Sequence, residues 1–166
     1  MIIKKVCSGG QTGSDQAGLD AAIEAGLPHG GWCPKGRRCE DGIIPEKYKL
    51  KETGSPNYLV RTKLNVTVAD ATIVFTFGPA KSGSLRTLQF ARELSKPSLH
   101  VNLFSFNDDL HVQKIIDWLD AAFGGKAITL NVAGSRESSR PGIGSKVKDI
   151  MTKVIERVGV PNDQNG

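Results

Sequence analysis

Cys7-Ser8-Gly9-Gly10-Gln11-Thr12-Gly13-Ser14-Asp15-Gln16 is the stretch that decides the fold. An apolar run from Ile2-Ile3 through Val6 leads into it. Residues 17–25 after it are dense in helix formers, among them Leu19, Ala21, Ala22 and Ile23. The glycine-rich segment therefore reads as the turn between a strand and a helix. Glycines allow a backbone to approach a ligand with no Cβ in the way. The helix that follows aims its unpaired N–H groups and positive dipole end at the turn, which favours an anion. Thr12 followed by Asp15 has the spacing of a capping box. Taken alone, the turn is open to a second reading, in which its glycines serve geometry only.

The same unit recurs downstream. Residues 72–77, Thr72-Ile73-Val74-Phe75-Thr76-Phe77, have the β-branched and apolar content of a buried strand. They empty into Gly78-Pro79-Ala80-Lys81-Ser82-Gly83-Ser84. A helix then carries Leu85, Leu88, Ala91 and Leu94 at helical spacing and stops before Pro97. Ser82, Ser84 and Thr87 add hydroxyl donors to this second turn. Residues 98–103 and 127–132 read as further strands. A helix capped by Asn107-Asp108 lies between them, with Val112, Ile115, Ile116, Leu119, Ala122 and Phe123 on one face. Trp118 and His111 lie off that stripe, as partial burial or a contact within a homo-oligomer would place them. The last strand opens into the polar loop 131–142, and Pro141 starts a final helix striped by Ile143, Val147, Ile150, Met151, Val154 and Val158.

Between the first helix and residue 56 the chain is irregular. A short strand is expected around residues 31–33, followed by a loop that packs Lys35, Arg37 and Arg38 against Glu40 and Asp41. Such a run is either a solvated surface or, at the end of a strand, a ligand-binding loop. Pro45, Gly54 and Pro56 keep regular structure away, which favours the functional reading. Ser55 as N-cap and Pro56 as first helical residue start a helix over 57–70.

Strand and helix alternate, so the expected fold is α/β: a doubly wound, mainly parallel five-stranded sheet with helices on both faces. The predicted strand order is 2-1-3-4-5, with the first and third strands flanking the switch point where ligands bind beyond strand carboxyl ends. The 166 residues fit one domain over 1–158 with a tail at 159–166. No apolar run approaches a bilayer span and no leader opens the chain, so a cytoplasmic location and no membrane partner are expected. Net charge is +5, but the basic residues are dispersed and aromatics make up only 6%. Nucleic acid is therefore disfavoured against a small anionic ligand. Cys7, Cys33 and Cys39 are odd in number, and Cys33-x5-Cys39 is a poor zinc spacing, so neither a disulfide framework nor a structural metal is expected.

Three motifs together resemble the putative molybdenum carrier family. They are Ser8-Gly9-Gly10-Gln11-Thr12-Gly13, then Gly30-Gly31-Trp32-Cys33-Pro34-Lys35-Gly36-Arg37 with Glu40-Asp41-Gly42, and finally Asn131-Val132-Ala133-Gly134-Ser135-Arg136-Glu137-Ser138. That family is grouped with the circularly permuted YpsA branch of the Rossmann-like superfamily that includes DprA and the lysine-decarboxylase-like LOG proteins. The resemblance implies a Rossmann-like fold that binds a nucleotide or cofactor. The family name further implies molybdenum cofactor, a pterin bearing a phosphate. LOG-type phosphoribohydrolases place acids just after their second glycine motif. Here residues 83–90 contain none and the first acid is Glu93. That chemistry would have to use Glu40, Asp41 or Glu137.

The candidate site comprises Gly9, Gly10, Gln11, Thr12, Gly13 and Asp15 of the first loop. Lys35 and Arg37 come from the basic loop, Ser82, Gly83, Ser84 and Thr87 from the second turn, and Gly134, Arg136 and Glu137 from the third. Glu137 is expected either to orient Arg136 toward a phosphate or to act as a general acid or base. The leading function is a carrier that holds molybdenum cofactor or a nucleotide without turnover. The alternative is a nucleotide hydrolase. A dinucleotide-dependent dehydrogenase is disfavoured. Gly9-Gly10-x-x-Gly13 is not G-x-G-x-x-G, and Cys33-Pro34-Lys35 stands where the acid should be.

Overall fold

A computed structural model describes residues 2–159. The central sheet is built from β1 (Ile2–Cys7), β2 (His29–Gly30), β7 (Ala71–Thr76), β8 (Ser98–Asn102) and β9 (Ala127–Gly134). Every pairing within it is parallel. The helices are α1 (Ser14–Glu24), α2 (Tyr58–Val68), α3 (Ser82–Glu93), α4 (Asp108–Phe123) and α5 (Ile143–Val158). The short strands β3 (Trp32–Cys33) and β6 (Lys51–Glu52) pair with each other, as do β4 (Arg38–Cys39) and β5 (Gly42–Ile43). The expected second strand is thus split: residues 29–30 join the main sheet while 32–33 leave it.

The α/β class holds, but the expected strand order does not. The order is β2-β1-β9-β7-β8, so the last strand inserts between the first and the third instead of lying at an edge. Burial gives the reason. β9 is eight residues long and buries Ile128, Leu130, Asn131 and Val132, the pattern of a strand covered on both faces. The two-residue β2 and the partly exposed β8 take the edges. Sequential adjacency, the usual tendency, is outweighed by this burial.

One face of the sheet is closed by α1, α4 and α5. Ala17, Ala21, Val112, Ile115, Leu119, Val147, Ile150 and Met151 pack there against Ile73, Phe75, Ile128, Leu130 and Val132. Each fully buried aliphatic side chain contributes about 1.5–3 kcal/mol. On α2 and α3, Val66, Phe90 and Ala91 form a second, smaller cluster. A third, of Leu19, Cys33, Cys39, Ile44 and Tyr48, anchors the irregular 33–50 segment on α1.

Local expectations shift by small amounts. Asn57, not Ser55, caps α2 by accepting from the Leu59 amide at 2.9 Å. Asn107 caps α4 as expected, accepting from Leu110 N at 2.9 Å. Thr12 does not cap α1: Gly13 is the N-cap and makes no side-chain cap bond. The expected tail begins at Gly159, which bridges to Ile3; residues 160–166 lie outside the described residues. No helix among the described residues is long and apolar enough to cross a membrane.

Candidate functional site

Because β9 is central and all strands run in parallel, the loops after β1, β7 and β9 meet at one edge of the sheet. They surround a cavity of about 320 Å³, within the range of small-molecule sites. Nine of the predicted residues line it: Gly9, Gln11, Asp15, Ser82, Gly83, Ser84, Thr87, Gly134 and Arg136. The structure adds Arg61, Thr62, Asn65, Phe77, Lys81, Asn131 and Arg140. Arg61, Lys81, Arg136 and Arg140 against Asp15 give the lining a cationic excess.

The other six candidates, Gly10, Thr12, Gly13, Lys35, Arg37 and Glu137, are elsewhere, each for a visible reason. Arg37 spends its Nη2 on the carbonyls of Ile44, Pro45 and Tyr48, tying down a loop that has few ladder partners for its backbone. Lys35 is exposed outside the cavity. A Cβ on Gly10 would lie 2.8 Å from both Ile44 Cδ1 and Leu50 Cδ1, and one on Gly13 would lie 2.7 Å from the Ser135 carbonyl. Packed side chains and backbone occupy the space beside these two glycines. Gly9 gives way to Arg61, whose Nε would be 2.6 Å from an added Cβ. Of the five candidate glycines, Gly83 at the start of α3 is the one that faces open space.

Glu137 does not orient Arg136. Its Oε2 accepts from Gly142 N at 2.6 Å and its Oε1 from Gly144 N at 3.0 Å. The carboxylate therefore caps α5, where the helix dipole favours it. Arg136 instead approaches Glu40, with Nη1 3.9 Å from Oε2, and its guanidinium lies 5.9 Å from the Tyr58 ring centre. Glu40 is a hub. It accepts from Thr12 Oγ1, from Ser138 N at 3.1 Å and from Ser138 Oγ. Burial by itself would push the Glu40 carboxyl up. The Ser138 and Thr12 hydrogen bonds and the Arg136 charge outweigh it and hold the carboxyl below its ordinary value.

At the inner end of the cavity Asp15 is 5% exposed. Burial pushes its carboxyl up to about 6, against the opposing charge of Arg61, the amides of Gln11 and Gly9, and the charge of Arg136. Its Oδ2 accepts from Gln11 N at 3.2 Å. The amides of the glycine turn are thus aimed at the protein's own carboxylate. Ser14 N, the first amide of α1, goes to the Ser135 carbonyl at 3.2 Å. The start of α3 is different: no side chain caps it, and Ser82, Gly83 and Ser84 line the cavity. Ser82 sits at φ +46°, a left-handed conformation that costs a residue with a Cβ about 1–2 kcal/mol.

Among the buried side-chain donors without partners in the described residues are Gln11 Nε2 and Arg61 Nε. Both residues line the cavity. An unpaired buried donor costs about 1–3 kcal/mol, so each is a place where a ligand acceptor would be favoured. No group of three or more His, Cys, Asp or Glu side chains among the described residues could hold a metal ion. The lining itself holds one Asp and no His, Cys or Glu.

Arg61 and Asn65 escaped the sequence reading, although a signal existed. Tyr58, Arg61, Thr62 and Asn65 fall at i, i+3, i+4 and i+7, a polar stripe along one helix face. Thr62 and Asn65 are buried, and a buried polar stripe points to a site or a network. Asn65 supplies the network, bracketing Trp32 by accepting from its N at 2.8 Å and donating to its O at 2.9 Å.

A parallel sheet flanked by helices, with a polar, cationic cavity at its carboxyl edge, defines the Rossmann-like class. Residues 6–155 match the model of the circularly permutated YpsA SLOG family, and the chain belongs to that family. Its fold is similar to the crystal structure of a protein named putative molybdenum carrier protein from Syntrophus aciditrophicus SB. The TM-score is 0.87 at 39% identity, covering 92% of this chain and 94% of that one. No curated protein matches.

Proposed function

We propose that this protein is a carrier that binds, without turnover, a small anionic ligand of the nucleotide or pterin phosphate type. The observation that carries this reading is the cavity itself. Four cationic side chains converge on about 320 Å³ around the open start of α3, where an anion is stabilised by backbone amides and the helix dipole. The name of the Syntrophus protein supports molybdenum cofactor as the cargo, and the unpaired donors support the ring and phosphate of either ligand. Arg136 and Arg140 at the rim suit a phosphate. Calorimetric titration with guanosine monophosphate as probe tests the reading. Binding that weakens in Arg61→Ala and in Arg136→Ala supports it, and no heat at millimolar probe refutes it.

One observation favours hydrolysis as a second reading. A buried carboxyl with a pKa near 6 is placed to exchange a proton near neutral pH. Incubation with nucleoside monophosphates followed by chromatography separates the two. The carrier reading expects intact nucleotide. Release of free base that disappears in Asp15→Asn would assign hydrolysis instead. Exposed Leu59, Val60 and Leu85 on α2 and α3 support the expected homo-oligomer, which sedimentation velocity tests.

A further inference from the structure

We propose that Gln11 and Asp15 form a ring-reading subsite, which takes a heterocycle edge carrying an N–H donor beside an acceptor. The ligand's anionic group would then be directed to the start of α3. This inference rests on the carrier reading and adds a polarity to it: the ring lies inward, the anion toward α3.

The case begins with the orientation of the Gln11 amide. Its Oε1 accepts from Thr12 N at 3.1 Å and from Glu40 N at 2.9 Å. A flipped amide would set its NH2 against two backbone N–H groups, so the orientation is fixed by the network. Nε2 is therefore a defined donor. It is buried and unpartnered among the described residues, on a side chain only 5% exposed that lines the cavity. It calls for a ligand acceptor. Asp15, four positions along the chain and equally buried, presents the complementary group. Its Oδ2 accepts from the Gln11 backbone N–H at 3.2 Å, and the carboxylate retains lone pairs for a ligand donor.

The same hydrogen bonds exclude phosphate from this end. An anion at the glycine turn would meet amides already given to Asp15 and a carboxylate that repels it. The open first turn of α3 has no competing carboxylate in the lining, and Gly83 there faces free space. A donor–acceptor edge is the chemistry shared by oxopurines, aminopurines and pterins. A bare oxyanion such as molybdate lacks it, and so does a sugar phosphate.

Three probes of graded chemistry test the subsite by calorimetry on the intact chain. Inosine monophosphate presents a ring C=O beside an N–H. Purine riboside monophosphate keeps a ring acceptor but has no ring N–H. Ribose 5-phosphate has no ring. The expected order of affinity is inosine monophosphate first, purine riboside monophosphate weaker by about tenfold or more, and ribose 5-phosphate weakest, since an unmet buried polar group costs roughly that factor. Gln11→Glu keeps the oxygen that accepts from Thr12 and Glu40 and turns the donor into an acceptor. It should cost inosine monophosphate about tenfold or more beyond whatever ribose 5-phosphate loses, since that probe reads the added charge alone, and far-UV circular dichroism reports that the variant is folded. Equal affinity for all three probes would overturn the ring subsite and leave anion binding standing. Binding of none would overturn the carrier reading and this one with it.

Discussion

Asp15→Asn separates what the site needs from what the fold prefers. The wild-type carboxyl has a pKa of about 6 in the folded chain against an ordinary 3.8. Between those values the folded chain holds a proton that the unfolded chain has released. Stability from this residue therefore falls as pH rises through the interval, and the loss is complete above about 6. At 1.36 kcal/mol per pH unit the interval corresponds to roughly 3 kcal/mol. Arg61 and Arg136 are the charges that offset the cost, and Gly9 and Gln11 supply the amides. Asparagine removes the buried charge but forfeits the charge assistance of those amide bonds, so a net gain of about 1–3 kcal/mol is expected at neutral pH. For a chain of this length that raises Tm by ~3–9 °C. The assay is thermal unfolding of both proteins from pH 7.5 down to pH 4, beside calorimetry with inosine monophosphate. The stability advantage of the variant should shrink as pH falls through 6 and vanish near 4, while binding is weakened at every pH. A variant less stable than wild type at pH 7.5, with no pH dependence to the difference, would refute the burial argument.

Glu40→Gln should loosen the clasp between the loops after β1 and β9, lowering stability at neutral pH by about 1–2 kcal/mol in urea unfolding. Because the Glu40 carboxyl is held below its ordinary value, its stabilisation is present above the unfolded pKa and lost as pH falls through the folded one. The difference between wild type and variant should therefore close in acid. Arg136→Lys should weaken guanosine monophosphate binding by about tenfold, because a point charge cannot copy the planar fork. The corresponding loss in Arg136→Ala should diminish at high salt. Gly134→Ala places a Cβ 2.1 Å from the Phe75 carbonyl at φ +148° and should prevent accumulation of folded protein, visible as loss of the soluble fraction on expression.

The alternation of strand, turn and helix was legible because each apolar run ends in small residues and each helix shows its stripe. The position of β9 was not, since periodicity reports a strand's faces and not its neighbours. The glycine turn was found, and the structure divides it: Gly9 and Gln11 line the cavity while Gly10 and Gly13 do not. Ile44, Leu50, Arg61 and the backbone at 135–137 fill the spaces that its glycines leave. Adjacency in sequence misled at Arg136 and Glu137, which diverge to Glu40 and to the amides of α5. The basic loop misled because Arg37 turns back onto its own segment and donates to the carbonyls at 44, 45 and 48. Arg61 was legible only to a reading that asked why one face of α2 is polar.

The most direct test of the carrier account is native mass spectrometry of the protein as purified without added ligand, compared with the Arg61→Ala variant. The account predicts a mass excess on the wild type that matches a phosphate-bearing heterocycle, is released on denaturation, and is absent from the variant. A wild-type protein that carries no such mass and gains none when incubated with inosine monophosphate would contradict it.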